Sequence, residues 1–258
     1  MIPLRFPVTP SPPRPRIIDL GRLPYEAAYQ AQQSHVNAVL SSRASAAPEI
    51  GRILFVEHDP VITISRRPGA RNHLLASPET LARLGVRLAE TDRGGDITYH
   101  GPGQLVVYPI LDLNALNLGL HAYMRLLESA VIDACAHWGI PGQRDPSATG
   151  VWVDRAGTTS KIAAMGVRVQ KWVSMHGLAI NIDPDMSHFN LIVPCGLAGR
   201  TVTSARAELT GSDRPPPTMD EARRVLEQHL TAHIMAAATT ASRARAAAQV
   251  TDIPPRTG

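Results

Sequence analysis

Residues 93–104 read Arg93-Gly94-Gly95-Asp96-Ile97-Thr98-Tyr99-His100-Gly101-Pro102-Gly103-Gln104 and run directly into the β-rich apolar segment Leu105-Val106-Val107-Tyr108-Pro109-Ile110. A dinucleotide-binding fingerprint requires a helix after its glycines, and here a strand follows, so a Rossmann site is excluded. A P-loop requires Gly-Lys-Ser/Thr, whereas the chain's two lysines follow Ser160 and Gln170. Two readings of the block remain. Its glycines serve the turn geometry of a hairpin, or they let a ligand approach bare backbone N–H groups while His100 supplies a polar side chain at the rim.

The rest of the chain alternates irregularly between the two periodicities. Strands are predicted at Ile17-Ile18, Ile53–Val56, Val61–Ile64, Val86–Glu90, Gly150–Val153, Ile162–Val169 and Leu178–Ile182. Helices are predicted from Tyr25 to about Leu40, after Ser77-Pro78-Glu79, along Met124, Leu127, Val131, Cys135 and Trp138 with Gly139 and Pro141 as stops, and from Asp220 to about Ala237. Without regular βαβ alternation the fold class is α+β, with mixed sheets packed with helices. One folded domain over 16–238 is expected, between a disordered Pro/Arg-rich arm (1–15) and a disordered Ala/Thr/Arg tail (239–258).

Of the net charge of +4, the arm contributes +3 by residue 16 and the tail +2 from residue 240, which leaves 17–239 at −1. A phosphate-binding groove concentrates cations on a folded surface, so no nucleic-acid partner is expected. No apolar run reaches the roughly 20 residues of a membrane span. Two cysteines make no disulfide framework and no secretory apolar segment opens the chain, so a cytoplasmic protein is expected. No His/Cys/Asp/Glu spacing matches a metal site, and neither a metal nor another cofactor is expected.

Of the 26 basic residues only Lys161 and Lys171 are lysine. Arginine cannot give up its proton, so in an arginine-rich chain Lys161, set among small and apolar residues in Ser160-Lys161-Ile162-Ala163-Ala164-Met165-Gly166, points to proton transfer. Lys171, among polar neighbours, reads as a surface residue. Cys135 lies on a helical apolar stripe and reads as core. Cys195 sits between Pro194 and Gly196, where a turn can aim its thiol into a cleft; a structural cysteine and a nucleophile activated by a cation both fit. His176 is a nominal Cys–His base, although no orienting Asn or Asp is evident.

The glycine block, Tyr108-Pro109, Gly150-Val151-Trp152, Lys161–Arg168, His176–Asn181 and Pro194-Cys195-Gly196 together resemble the lipoyl(octanoyl) transferase family, LipB, in its order over about residues 17–235. The chain departs at Ser65, where the family usually has glycine. The resemblance implies an α+β fold shared with lipoate and biotin protein ligases, and transfer of an octanoyl group from acyl carrier protein to a lysine of lipoyl domains or of the glycine cleavage H protein. It further implies that Cys195 forms the thioester, that Lys161 acts as general acid/base, and that Arg93–His100, Ala164-Met165-Gly166 and Gly177-Leu178-Ala179 line the acyl site. Alternatives are an ATP-dependent ligase on the same fold, a silent carrier-binding module, and a cysteine peptidase using His176.

Overall fold

Successive Ile, Leu and Val residues in one strand are all buried only when both faces of the sheet are covered. Gly51–His58 (β2) and Gln104–Leu111 (β6) meet this condition as antiparallel neighbours inside a mixed sheet. The computed structural model describes residues 14–155, 157–193 and 200–251. Its large sheet runs β1 (Arg16–Leu23), β2, β6, β10 (Val173–Asn181), β9 (Thr158–Gln170), β8 (Ala148–Arg155) and β7 (Gly142–Asp145), with β11 (Thr201–Val202) beside β9. β1–β2 and β11–β9 are parallel pairs and the others antiparallel.

The two-residue period divides this sheet's side chains between two cores. Leu54, Val56, Val106, Tyr108 and Ile110 pack against Ala28, Val36 and Val39 of α1 (Tyr25–Ser42). Ile53, Phe55, Leu105, Val107 and Leu111 share the opposite core with α3 (Leu120–Trp138) and α5 (Met219–Thr251). Cys135 is fully buried there, on the predicted stripe of α3.

A second sheet places β3 (Val61–Ser65) between β4 (Arg87–Thr91) and β5 (Ile97–His100). α2 (Pro78–Leu84) begins as its Ser-Pro-Glu start predicts, with Ser77 Oγ accepting from Thr80 N. The hairpin reading of the glycine block fails, because β5 pairs with β3 while β6 pairs with β2 and β10. Gly101–Gly103 therefore carries the chain from one sheet to the other.

Met186–Leu191 is a 3₁₀ helix, with Asp185 accepting from Ser187 N at its start. The last helix does not stop at Ala237 but continues to Thr251, so the expected disorder of 239–258 does not hold over 239–251. Alanine has the highest helix propensity, Ala238 and Ala241 are buried, and Arg245 Nη1 donates to Ala115 O at 3.0 Å. Residues 1–13 of the expected arm and 252–258 of the tail lie outside the described residues. Among the described residues no helix is long and apolar enough to cross a membrane.

Candidate active site

Pro109 has no N–H to offer β10, and the β6–β10 ladder ends at Val107–Leu178. Beyond that point Ser174 Oγ donates to Pro109 O at 2.7 Å and accepts from Leu111 N at 2.9 Å. His176 adopts φ 61° beside the break, its N–H donating to Gln32 Oε1 of α1 at 2.8 Å. Gly177 follows because a Cβ there would stand 2.2 Å from Val107 O and 2.6 Å from Pro109 Cδ.

A cavity partly open to solvent lies at this departure. From the glycine block it is lined by Arg93, Gly95, Asp96, Ile97, Thr98 and His100; from β9 by Ala164, Met165 and Gly166; from β10 by Gly177, Leu178 and Ala179. Two expected residues are elsewhere. Gly94 borders an adjoining open groove. Tyr99 faces away from Thr98 and His100 by strand alternation; it packs on Phe189, and its hydroxyl is 2.7 Å from His188 Nδ1. Tyr25, Val106, Tyr108 and His176 complete the lining and were not singled out as lining residues in the sequence. Tyr108 and His176 do stand in the blocks that carried the family resemblance; Tyr25, at a helix start, has no such signal.

Both tyrosine hydroxyls of this lining, and one nitrogen of His100, are committed to protein partners. Tyr25 donates to Thr91 Oγ1 at 2.7 Å. His58 Nδ1 faces Leu23 O at 2.9 Å and must donate, so its Nε2 accepts from Tyr108 at 2.7 Å. Gln104 gives its amide hydrogens to Tyr99 O and Asn181 Oδ1, so its Oε1 accepts from His100 Nδ1 at 2.6 Å. Burial, with the nearby His58, brings His100 down to about 3, and burial also lowers His58. The Tyr25 and Tyr108 hydroxyls are thus already occupied within the protein.

His176 has the orienting acid that no sequence motif revealed. Its Nε2 is 2.8 Å from Asp92 Oδ1, 84 positions away, and Asp92 Oδ2 is bonded by Tyr29 and Arg168. Burial lowers His176 despite that carboxylate. Burial alone would raise Asp92, but the bonds from His176 and Tyr29 and the Arg168 charge prevail and lower it.

Lys161, 7 % exposed, stands at the other end of the β9 wall. It borders a small chamber with Thr98, Gln104, Ala164, Ala179, Asn181 and Phe189, and also the open groove. Leu120, Met124, Met165 and Val167 line the groove, with Arg67 and Asp96 on its side. Thr203 N donates to Lys161 O at 2.9 Å, and Asn181 Nδ2 to Thr203 O at 2.9 Å, so the His100–Gln104–Asn181 chain ends at the lysine's own strand. Cys195 lies outside the described residues. Of its described flanks, Val193 N donates to His73 O at 2.8 Å, while Thr201 and Val202 pair with Ser160 and Lys161. His73 is in turn bonded to the buried Asp96 at 2.7 Å. Cys135 is separated from this region by its burial among α3, β7 and β8, where its thiol is pushed up to about 12.

Residues 27–231 match the lipoyl protein ligase A/B catalytic domain. The chain belongs to that family. Within it, the chain is of the LipB octanoyltransferase type. It is 42 % identical over 215 residues to the octanoyltransferase of Bacteroides thetaiotaomicron, covering 83 % of this chain and 92 % of that one. The octanoyltransferase of Acidobacterium capsulatum is 42 % identical over 214 residues, 80 % of this chain and 84 % of the relative. Among solved structures, the bipartite lipoate protein ligase of Thermoplasma acidophilum gives a TM-score of 0.63 at 17 % identity, covering 86 % of this chain and 84 % of that one. Lipoate-protein ligase A bound with ATP gives 0.63 at 15 %, covering 86 % and 85 %. At those identities the likeness is one of α+β fold.

Proposed function

We propose that this LipB-type chain is a transferase that moves an octanoyl group from acyl carrier protein to a lysine of lipoyl domains and of the glycine cleavage H protein, through a thioester on Cys195. The observation that carries this reading is the position of Lys161, a buried amine between a small chamber adjoining the aromatic-lined cavity and an open groove. An alkyl chain suits the cavity's aromatic and aliphatic side chains, Tyr25, Ile97, Val106, Tyr108, Met165 and Leu178. The groove's apolar side chains suit a linear carrier arm. The name octanoyltransferase, borne by relatives covering most of the chain, agrees with both.

The Cys195 thiolate attacks the donor thioester carbonyl, a C–S bond forms, and the carrier thiolate leaves with a proton from Lys161. The acceptor amine then attacks the enzyme thioester, the new amide forms, Cys195 leaves as thiolate, and Lys161 takes back the amine's proton. Splitting the transfer this way needs one sulfur nucleophile and one reversible proton carrier. The donor is already activated, so no nucleotide enters.

Intact-protein mass after incubation with octanoyl-acyl carrier protein tests the reading. One octanoyl adduct, mapped to Cys195 and absent from Cys195→Ala, is expected. An adduct on Cys135, or pyrophosphate release with free octanoate and ATP, would overturn it.

A further inference from the structure

Antiparallel pairing puts Val151 opposite Ala163, so a regular ladder would set Trp152 opposite Ile162, on the face away from Lys161. The register shifts between Val151 and Trp152, and Trp152 pairs with Lys161 instead. Such bulges re-aim side chains, often beside active sites. Gly150 precedes this one at φ 124°, with its N–H on the buried Glu128 at 3.2 Å; a Cβ there would meet Ala163 O at 2.6 Å and Lys161 Cε at 3.4 Å. The Gly150-Val151-Trp152 block therefore both clears room for the lysine stem and turns the indole towards it.

Lys161 Nζ stands 4.7 Å from the Trp152 ring centroid. The indole is 1 % exposed, and its Nε1 donates to Ala148 O at 3.0 Å, which fixes the ring plane. Arg200 Cζ also lies over this ring, at 4.8 Å, but its charge is matched by an ion pair with Asp145, and its Nη2 donates to Ser147 Oγ at 2.9 Å. An ammonium over an indole is attracted by the ring quadrupole, and more strongly where water is excluded.

We infer that Trp152 is a positioning residue for Lys161: its π face holds the ammonium in the place from which the proton is delivered. This inference rests on the reading of Lys161 as the proton carrier. Trp152 lines none of the three cavities described above and acts only through Lys161.

The test replaces Trp152 with site-specifically incorporated mono- to tetrafluorotryptophan, which keeps the shape while weakening the π face. Two quantities are measured on the full chain: kcat and KM for octanoyl transfer, and the rate of Lys161 acetylation by acetic anhydride relative to Lys171, read by mass spectrometry. Across the series kcat should fall by about tenfold, with KM within about twofold, while Lys161 labelling rises by a similar factor, the range set by a desolvated cation–π contact. Trp152→Phe should fall within the series and Trp152→Leu at or beyond its end. If labelling and kcat both stay flat across the fluorinated series, the inference is overturned, whatever Trp152→Leu does to folding. If labelling rises while kcat stays flat, the indole's hold on the lysine stands and the proton-carrier reading of Lys161 falls.

Discussion

Ser65 Oγ donates a 2.8 Å hydrogen bond to the carbonyl of Gly95, and accepts one from Arg67 N at 3.2 Å. A residue that replaces the usual family glycine thus fastens the end of β3 to the glycine block, beside the Ser65 N to Asp96 O bond at 3.1 Å. Ser65→Ala leaves the Gly95 carbonyl short of a buried partner and is expected to cost about 1–2 kcal/mol in urea unfolding. An unchanged unfolding midpoint would show that water replaces the hydroxyl at no cost.

Gly177→Ala is expected to abolish octanoyl transfer while leaving the chain folded but less stable by about 2–3 kcal/mol. The added methyl lands on Val107 O, and β10 can make room only by moving away from β6 along the cavity wall. Transfer assays alongside circular dichroism check this, and a fully active variant would refute it.

The two cysteines are expected to separate cleanly. Cys135→Ala removes a core thiol from contact with α3 neighbours and should cost about 1–2 kcal/mol with transfer retained. Under the proposed mechanism Cys195→Ala retains stability and loses transfer. The pair of melting curves and rate assays reads both.

Lys161→Arg keeps a positive charge but cannot release a proton, so transfer should fall by at least about 100-fold, within the usual worth of general acid–base catalysis. Full activity in that variant would reduce Lys161 to an electrostatic neighbour.

Stability should fall as pH drops below about 6.5. His100 is held down to about 3 in the folded protein, so between those values the unfolded chain binds a proton that the folded one does not, and acid favours unfolding. The contribution is up to about 1.4 kcal/mol per pH unit. Urea unfolding at pH 7.5 and 5 should show the loss, and His100→Gln should show less of it.

Helices and strands were legible where a single periodicity ran uninterrupted, as in α3 and the continuous apolar runs of β2 and β6. Sheet membership was not. Gly101–Gly103 looks like a hairpin turn until it is known that β5 belongs with β3, and that pairing is written in neither segment. The same distance effect hid the partners of the site: Asp92 for His176, Gln104 for Asn181, and Trp152 for Lys161, the last produced by a one-residue shift that no pattern announces. The alanines after residue 237 did carry a helix signal, and composition misled there. Lys161 itself stood out because arginine occupies almost every other basic position.

Pro109 also bears on how the chain avoids pairing with other molecules before it has folded. β6 is buried along its whole length, and one of its two neighbours, β10, lies more than 60 positions further on. Such non-local pairing forms slowly, and an apolar strand left waiting is a template for another chain's edge. A proline within that strand offers no donor to an incoming chain on the side that β10 will later cover. The residue that opens the cavity wall in the folded protein is thereby also a gatekeeper against aggregation in the unfolded one.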